Sequence, residues 1–458
     1  VRRDLPPALI LSPLLALWLG VGLWRGAGAR MVGDESPFLT YAHNLLHGLY
    51  ATPGSTDATQ FLWHGPGLPA LLAPLVALGA PLAVLRLTGP LLLFVAILLF
   101  HRLLRMSLPP RWALAGAWAL GLYAPFGEVV GPLHKEPLAL VLLIAALLGV
   151  AGYLRDGRRG QLALAGLGLA ALAMTRLEYG WVVIGLLAAA GVWLALTRAV
   201  VARRAFAICA LALAGCVPWL AYTHALTGRV LYWGNAGGLS LYWMAPHPRQ
   251  LGSWHAVHTV FRDPTLTGYR PFFAHLRTLA PLPRDLVLQH AALGDIAAHP
   301  AAYVLNLGAN AGRMLFAAPF SIELAPRLVG SYALFTLLLL GALGWAFVRA
   351  WSHRMQLPRA TRPFAAFALA GFVVHLAPSA EPRLVMPLVP IVLWLTLHAA
   401  ATARAARPSR LQRASPGGQP YDEASASPGV GLDVAAGGAS EAAGEREPEA
   451  GRARDRII

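Results

Sequence analysis

The sequence predicts an all-α polytopic membrane protein. About ten transmembrane helices are expected, with interfacial helices in a first external loop and a large external loop after the seventh span. Three observations carry this. The 458 residues are 57% hydrophobic and only 13% charged, against about 25% charged in soluble domains. Nearly uncharged runs recur at lengths close to the ~20 residues that cross a bilayer core. The short loops between alternate runs are basic, which is the positive-inside pattern.

The runs fall at 5–24, 87–100, 112–127, 137–154, 160–175, 179–197, 205–223, 328–348, 363–380 and 384–403. The shorter ones reach spanning length when flanking Arg side chains snorkel to the interface. With the N-terminus in the cytoplasm, the basic loops near Arg105, Arg158, Arg203 and Arg354 all fall inside. So does the Arg404–Arg413 run. Up to residue 400 only Asp4 and Asp156 are acidic on that side. This threading requires that 67–84 and 301–320 do not span. The first is punctuated by Pro and the second carries Arg313, so both are expected to lie at the outer interface.

Two regions result. Residues 1–403 form the membrane domain, with external loops 25–86 and 224–327. Residues 404–458, rich in Ala, Gly, Ser, Glu and Arg, are expected to be a disordered cytoplasmic tail. Segment 5–24 reads as a retained anchor, because it lacks a small-residue cleavage site. The formal charge of +16 is dispersed over helix ends, so no nucleic-acid partner is expected. Cys209 and Cys216 lie in one span, about 10 Å apart along a helix, too far for a disulfide.

Carboxylates are scarce, so their positions carry information. Asp34 and Glu35 stand together just beyond the first span. On the plain reading they are a solvated acidic pair on a loop, with Asp34 or Ser36 as a helix N-cap. At a water–lipid boundary a carboxylate also serves as a general base toward a hydroxyl. Glu128, His134, Lys135 and Glu136 gather between the third and fourth spans, as an interfacial turn or with Glu136 facing the Asp34 cavity and Lys135 or His134 near a phosphate. Arg176 and Glu178 flank the exit of the fifth span, as a salt bridge or as ligands. Glu381 and Arg383 sit in a Pro-bounded turn, where the planar guanidinium suits phosphate oxygens. Residues 227–243 mix Gly and Asn235 with aromatics, a composition suited to sugar faces or to packing. His43, His47 and His64 lack zinc spacing. No phosphate-binding P-loop, GxSxG or dinucleotide fingerprint is present.

Four features occur in order: the early acidic pair, GPGLP at 65–69, TRxE at 175–178, and AExRxxxPLxP at 380–390. Together they resemble the C-type membrane glycosyltransferases, the superfamily of protein O-mannosyltransferases and lipid A aminoarabinose transferases, over roughly residues 1–400. The resemblance implies a sugar donor on polyprenyl phosphate, with transfer to a lipid, glycan or protein acceptor on the extracytoplasmic face of a bacterial cell membrane. It implies inversion, with Asp34 as catalytic base and Glu136 as a second acidic position. Arg176 and Arg383 match basic positions near the donor phosphate, and Lys135 has no family counterpart. Glu35 is grouped with the catalytic acids, and His64, Glu178, Asn235 and Glu381 with substrate binding. Leu384 stands where the family often has an aromatic. Some members bind a divalent metal and others none, so no cofactor and no metal ligand is assigned. A transporter would place charges at mid-span, whereas here they sit at span ends. A non-catalytic glycan- or lipid-binding protein would tolerate loss of Asp34.

Overall fold

The computed structural model describes residues 5–405 except 29, 52–54, 247–253, 320–325, 353–357, 359 and 379. The expected tail, from residue 406 on, lies outside the described residues. Among those described, regular structure is helical, with no strand. The first part of the chain forms α1 (Pro7–Gly26), α2 (Glu35–Leu46), α3 (Gly67–Ala77), α4 (Leu82–Arg86), α5 (Thr88–Arg105) and α6 (Pro110–Gly121). The middle forms α7 (Glu136–Asp156), α8 (Arg159–Thr175), α9 (Glu178–Thr197) and α10 (Val200–Thr227). Then come α11 (Gly237–Met244), α12 (Val257–Arg262), α13 (Arg270–Leu276), α14 (Pro281–Ala298) and α15 (Pro300–Phe316). The chain closes with α16 (Pro326–Ser352), α17 (Thr361–Leu376) and α18 (Val389–Ala405).

Local chemistry sets several of these boundaries. Pro opens α1, α6, α14 and α15, where its missing N–H costs nothing and its fixed φ suits the first turn. Gly157 and Gly228 close α7 and α10 at φ +71° and +68°, the left-handed cap that a side chain resists.

Among the described residues, seven stretches are long and apolar enough to cross a membrane: 7–26, 82–105, 136–156, 178–197, 200–227, 329–349 and 382–404. The second begins five residues earlier than the sequence suggested. Gly79 (φ +69°) and Pro81 break the apolar run 67–84, so 82–86 joins the following span instead of the interfacial helix. The other three expected spans form shorter helices. α6 has 12 residues, because Pro125 and Gly127 turn the chain into a 3-10 segment at Ala124–Glu128. α8 has 17 residues and α17 has 16. Segment 301–320 becomes α15, which is not among the seven. Its Arg313 bonds to Asn306, Asn310 and the Pro319 carbonyl, so the charge is spent within the fold.

α7 sits centrally, between α5 and α8. Gly149 allows the closest approach: a Cβ there would overlap the Ala165 backbone, a small-residue contact of the kind that joins membrane helices. The segment between α10 and α16 packs on its own aromatic core, in which Trp243 and Phe273 stack with centroids 5.3 Å apart. Buried Asp285 ties that segment together, accepting from the Tyr232 hydroxyl at 2.9 Å and from the Gly238 N–H at 2.6 Å. Successive spans alternate in direction. α7 starts, α8 ends, α9 starts and α17 ends at one end of the bundle. The basic loops at 155–159 and 198–204 lie at the other.

Candidate active site

At the end of the bundle opposite the basic loops, a cavity of about 530 Å³ opens among helix termini. Its lining draws on Asp34 from the turn before α2, His64 ahead of α3, and Lys135 and Glu136 at the start of α7. Arg176 and Glu178 come from the α8–α9 junction, His375 from α17, and Glu381 and Arg383 from the turn before α18. Of the ten residues given a role through the resemblance, eight line it, and His134 lines it too. Glu35 and Asn235 do not.

Close backbone packing assembles these groups. In the GPGLP segment, a Cβ on Gly65 would overlap the Met174 carbonyl, and one on Gly67 would overlap Thr175. Glycine therefore lets the first external loop lie directly on the end of α8, which brings His64 beside the Arg176 region. Gly180 does the same for Trp233, whose indole occupies the space of a side chain on α9.

Most of the charge is already paired. Arg176 is fully buried and reaches Glu178 Oε1 through Nε at 2.9 Å and Nη2 at 2.7 Å, with Glu136 Oε1 3.4 Å from Nη1. Arg383 Nε donates to Glu381 Oε2 at 2.6 Å. Glu178 Oε1 also lies 3.3 Å from His375 Nε2. Among the described lining residues, Lys135 is the one cation with no carboxylate partner, and Asp34 the one carboxylate with no Lys or Arg partner.

His64 approaches Asp34, with Nε2 3.7 Å from Oδ1. Both of its ring nitrogens lack a hydrogen-bond partner although the residue is buried. Burial, with Lys135 and Arg383 nearby, pushes its pKa well down. The ring is therefore neutral at neutral pH, with one donor and one acceptor to offer. Its faces rest on Phe38 and Tyr41. Four tryptophans, Trp63, Trp181, Trp233 and Trp254, complete the lining and give flat apolar walls between the polar groups.

Two sequence assignments need correction. Glu35 was grouped with the catalytic acids, yet its carboxylate is fully buried behind the cavity. It accepts from Arg86 Nε at 2.8 Å, Arg86 Nη2 at 2.7 Å, the Val32 N–H at 2.8 Å and the Leu133 N–H at 2.9 Å. With both oxygens occupied, it has no access to a substrate. Asn235 is likewise turned away. Its side-chain N–H donates to the Thr59 carbonyl at 2.6 Å and its backbone N–H to the Leu62 carbonyl at 3.1 Å, so it fastens the two external segments to each other. In the other direction, His375 was not singled out from the sequence. Its signal was faint: a lone His at the end of an apolar run, six residues before Glu381.

Among the described residues no three His, Cys, Asp or Glu side chains converge to hold an ion, and Glu136, Glu178 and Glu381 are engaged by arginines.

No protein-family model matches the chain, and no curated protein does. Among solved structures, the chain is similar to ArnT from Cupriavidus metallidurans, a crystal structure bound to undecaprenyl phosphate. The TM-score is 0.37 at 16% identity, over 87% of this chain and 78% of that one. It is also similar to the arabinosyltransferase EmbB from Mycobacterium smegmatis, at a TM-score of 0.36 and 16% identity. That match covers 89% of this chain and 42% of EmbB. Likenesses this loose say nothing of this chain's chemistry.

Proposed function

We propose that this protein transfers a sugar from a polyprenyl-phosphate donor to an acceptor hydroxyl, with inversion, in the cavity at the extracytoplasmic end of its helices. One observation carries the reading. A carboxylate with no Lys or Arg partner, Asp34, and a cation with no carboxylate in ion-pair contact, Lys135, face the same cavity. Inverting transfer from a sugar phosphate needs those two groups. A base takes the proton from the attacking hydroxyl on one side of the anomeric carbon. A cation meets the charge that builds on the departing phosphate on the other. Neutral His64, beside Asp34, holds the acceptor hydroxyl in line.

The pairing also orders the phosphate ligands. The resemblance sets Arg383, with Arg176, near the donor phosphate. The charge of Arg383 is shared with Glu381 at 2.6 Å and that of Arg176 with two glutamates, whereas Lys135 makes no direct ion pair and acts on Glu178 and Glu136 only at longer range. The tryptophan walls suit the apolar faces of a sugar ring.

The test is donor binding by purified protein. Lys135→Gln should weaken binding of a prenyl phosphate about 10- to 100-fold, the effect of losing one charge-assisted hydrogen bond of about 1.5–3 kcal/mol. Arg383→Gln should cost less. Unchanged affinity in Lys135→Gln would remove the phosphate from this end of the cavity. The sidedness has its own check. Reporter fusions at positions 60 and 270 should give an external signal and a fusion at 156 a cytoplasmic one. A cytoplasmic signal at 270 contradicts the threading.

A further inference from the structure

The charge balance of the cavity poses a problem that the proposed function leaves open. Among the described lining residues, the carboxylates Asp34, Glu136, Glu178 and Glu381 face only three permanent cations, Lys135, Arg176 and Arg383. Behind Arg383, Glu128 accepts from the Tyr332 hydroxyl. Burial, partly offset by that bond, raises the Glu128 pKa. A lipid phosphodiester brings one more negative charge. In a largely desolvated site, an uncompensated like charge is expensive. With the diester, five negative charges meet three permanent cations, so a further cation lowers the cost of binding; among the described residues no trio of side chains is placed to hold a metal.

Three histidines line the cavity. Burial pushes the pKa of His64 well down and that of His134 down, so both favour the neutral form. His375 differs in its hydrogen bonds. Its Nδ1 lies 2.6 Å from the Gly371 carbonyl oxygen and its Nε2 lies 3.3 Å from Glu178 Oε1. Both partners are acceptors. A neutral imidazole carries one N–H and satisfies one of them, whereas the imidazolium donates to both.

We infer that protonated His375 is the fourth cation of the cavity, and that it makes binding of a lipid phosphodiester depend on pH. The inference rests on the reading of this cavity as a phosphate site. The charged and titratable groups around His375 are few. α9 presents Glu178 and Tyr179, whose ring meets the imidazole edge-on at 5.6 Å, and Arg176 stands beside Glu178. The turn before α18 presents Glu381 and Arg383. α15 brings Tyr303, whose hydroxyl donates to the Ala377 carbonyl, and Arg313. α18 meets α17 through Trp394 on Phe364, about three turns away. The sign follows from linkage. A ligand anion that favours the protonated ring binds more tightly in acid and loses affinity as pH rises. His375 acts through charge on the phosphate and through its hold on Glu178, so it is a positioning residue.

The experiment uses the full chain in nanodiscs and farnesyl methyl phosphodiester, a probe with a single negative charge that does not titrate near neutrality. Its Kd is measured from about pH 5 to about pH 8, the range of histidine titration, beside uncharged farnesol. Wild type should lose about tenfold in affinity for the diester as pH rises, with farnesol flat. His375→Gln should be flat at the weak alkaline value. Glu178→Gln, which removes a carboxylate and makes the fourth cation unnecessary, should be flat at the tight value. A flat wild-type profile, or a His375→Gln variant that keeps the wild-type slope, overturns the inference while leaving the phosphate site intact. So does binding that depends on added Mg²⁺ in place of pH. Absence of diester binding at every pH removes the phosphate site itself, and this inference with it. The wild-type profile against farnesol decides the matter even if a variant does not fold.

Discussion

Asp34→Asn should abolish sugar transfer while leaving insertion, folding and donor binding in place. General-base catalysis contributes about 10²- to 10⁴-fold, and asparagine keeps the size of the side chain without its basicity. The structure makes this substitution a clean one. Asp34 precedes α2 but makes no capping bond to it, and its side chain is 40% exposed, so little of the fold depends on its charge. A purely structural carboxylate would show the reverse pattern, with lower thermal stability and activity that recovers in whatever protein stays folded. The measurement is turnover per folded molecule, with bound prenyl phosphodiester as the reference for an intact site. Turnover within about twofold of wild type would strip Asp34 of the role of base.

Arg86→Met should cost about 3–5 kcal/mol of stability, the penalty for leaving one partner of a buried ion pair without the other. Arg86 is 4% exposed and gathers four pieces of chain. It donates to Glu35 through two nitrogens, to the Gly26 carbonyl at 2.8 Å, to the Arg30 carbonyl at 2.8 Å, and to the Gly28 carbonyl. Glu35 in turn accepts from the backbone N–H groups of Val32 and Leu133. The clamp therefore fixes the residue next to Asp34 and the strand of chain that ends in Lys135. Burial pushes the Glu35 pKa up, but the Arg86 bond and the two N–H groups outweigh it and hold the carboxyl below its ordinary value. A group whose folded pKa is depressed stabilises above its unfolded pKa, and that contribution is lost as pH falls through the folded value. The destabilisation should accordingly be largest at neutral pH and shrink in acid. The Arg86→Met, Glu35→Leu double variant should lose less than Arg86→Met alone, because no unpaired charge remains. Equal losses in the two would mean that packing, and not charge, is what Arg86 supplies.

Much of the framework is legible in the sequence because lipid punishes charge. Where ionisable residues are scarce, each one marks a helix end or a reason to be elsewhere. That logic located Asp34, Glu136, Arg176, Glu178, Glu381 and Arg383 before their cavity was seen. It failed where the answer depends on which way a residue turns. Asp34 and Glu35 are adjacent in the chain, yet one faces the cavity and the other is buried against Arg86, 51 residues on. Sequence order does not show that Arg86, read as the end of a loop, is the partner. Nor does it show that Arg176 and Arg383 spend their charge on neighbouring glutamates two residues away, which singles out Lys135. His375 is the same kind of case, since its meaning lies in Gly371 one turn earlier and Glu178 on another helix. The helix boundaries moved for local reasons. Gly79 and Pro81 ended one apolar run, and Pro125 with Gly127 cut another, at places where hydropathy alone runs on.

The most direct test of the central claim is a cryo-EM map of the protein with a prenyl phosphate bound. The phosphate should lie within hydrogen-bond distance of Lys135 Nζ, inside the cavity that Asp34 and His64 also line, with the prenyl chain leaving between helices toward the bilayer. A phosphate bound elsewhere, with Lys135 and Asp34 untouched, would contradict the account.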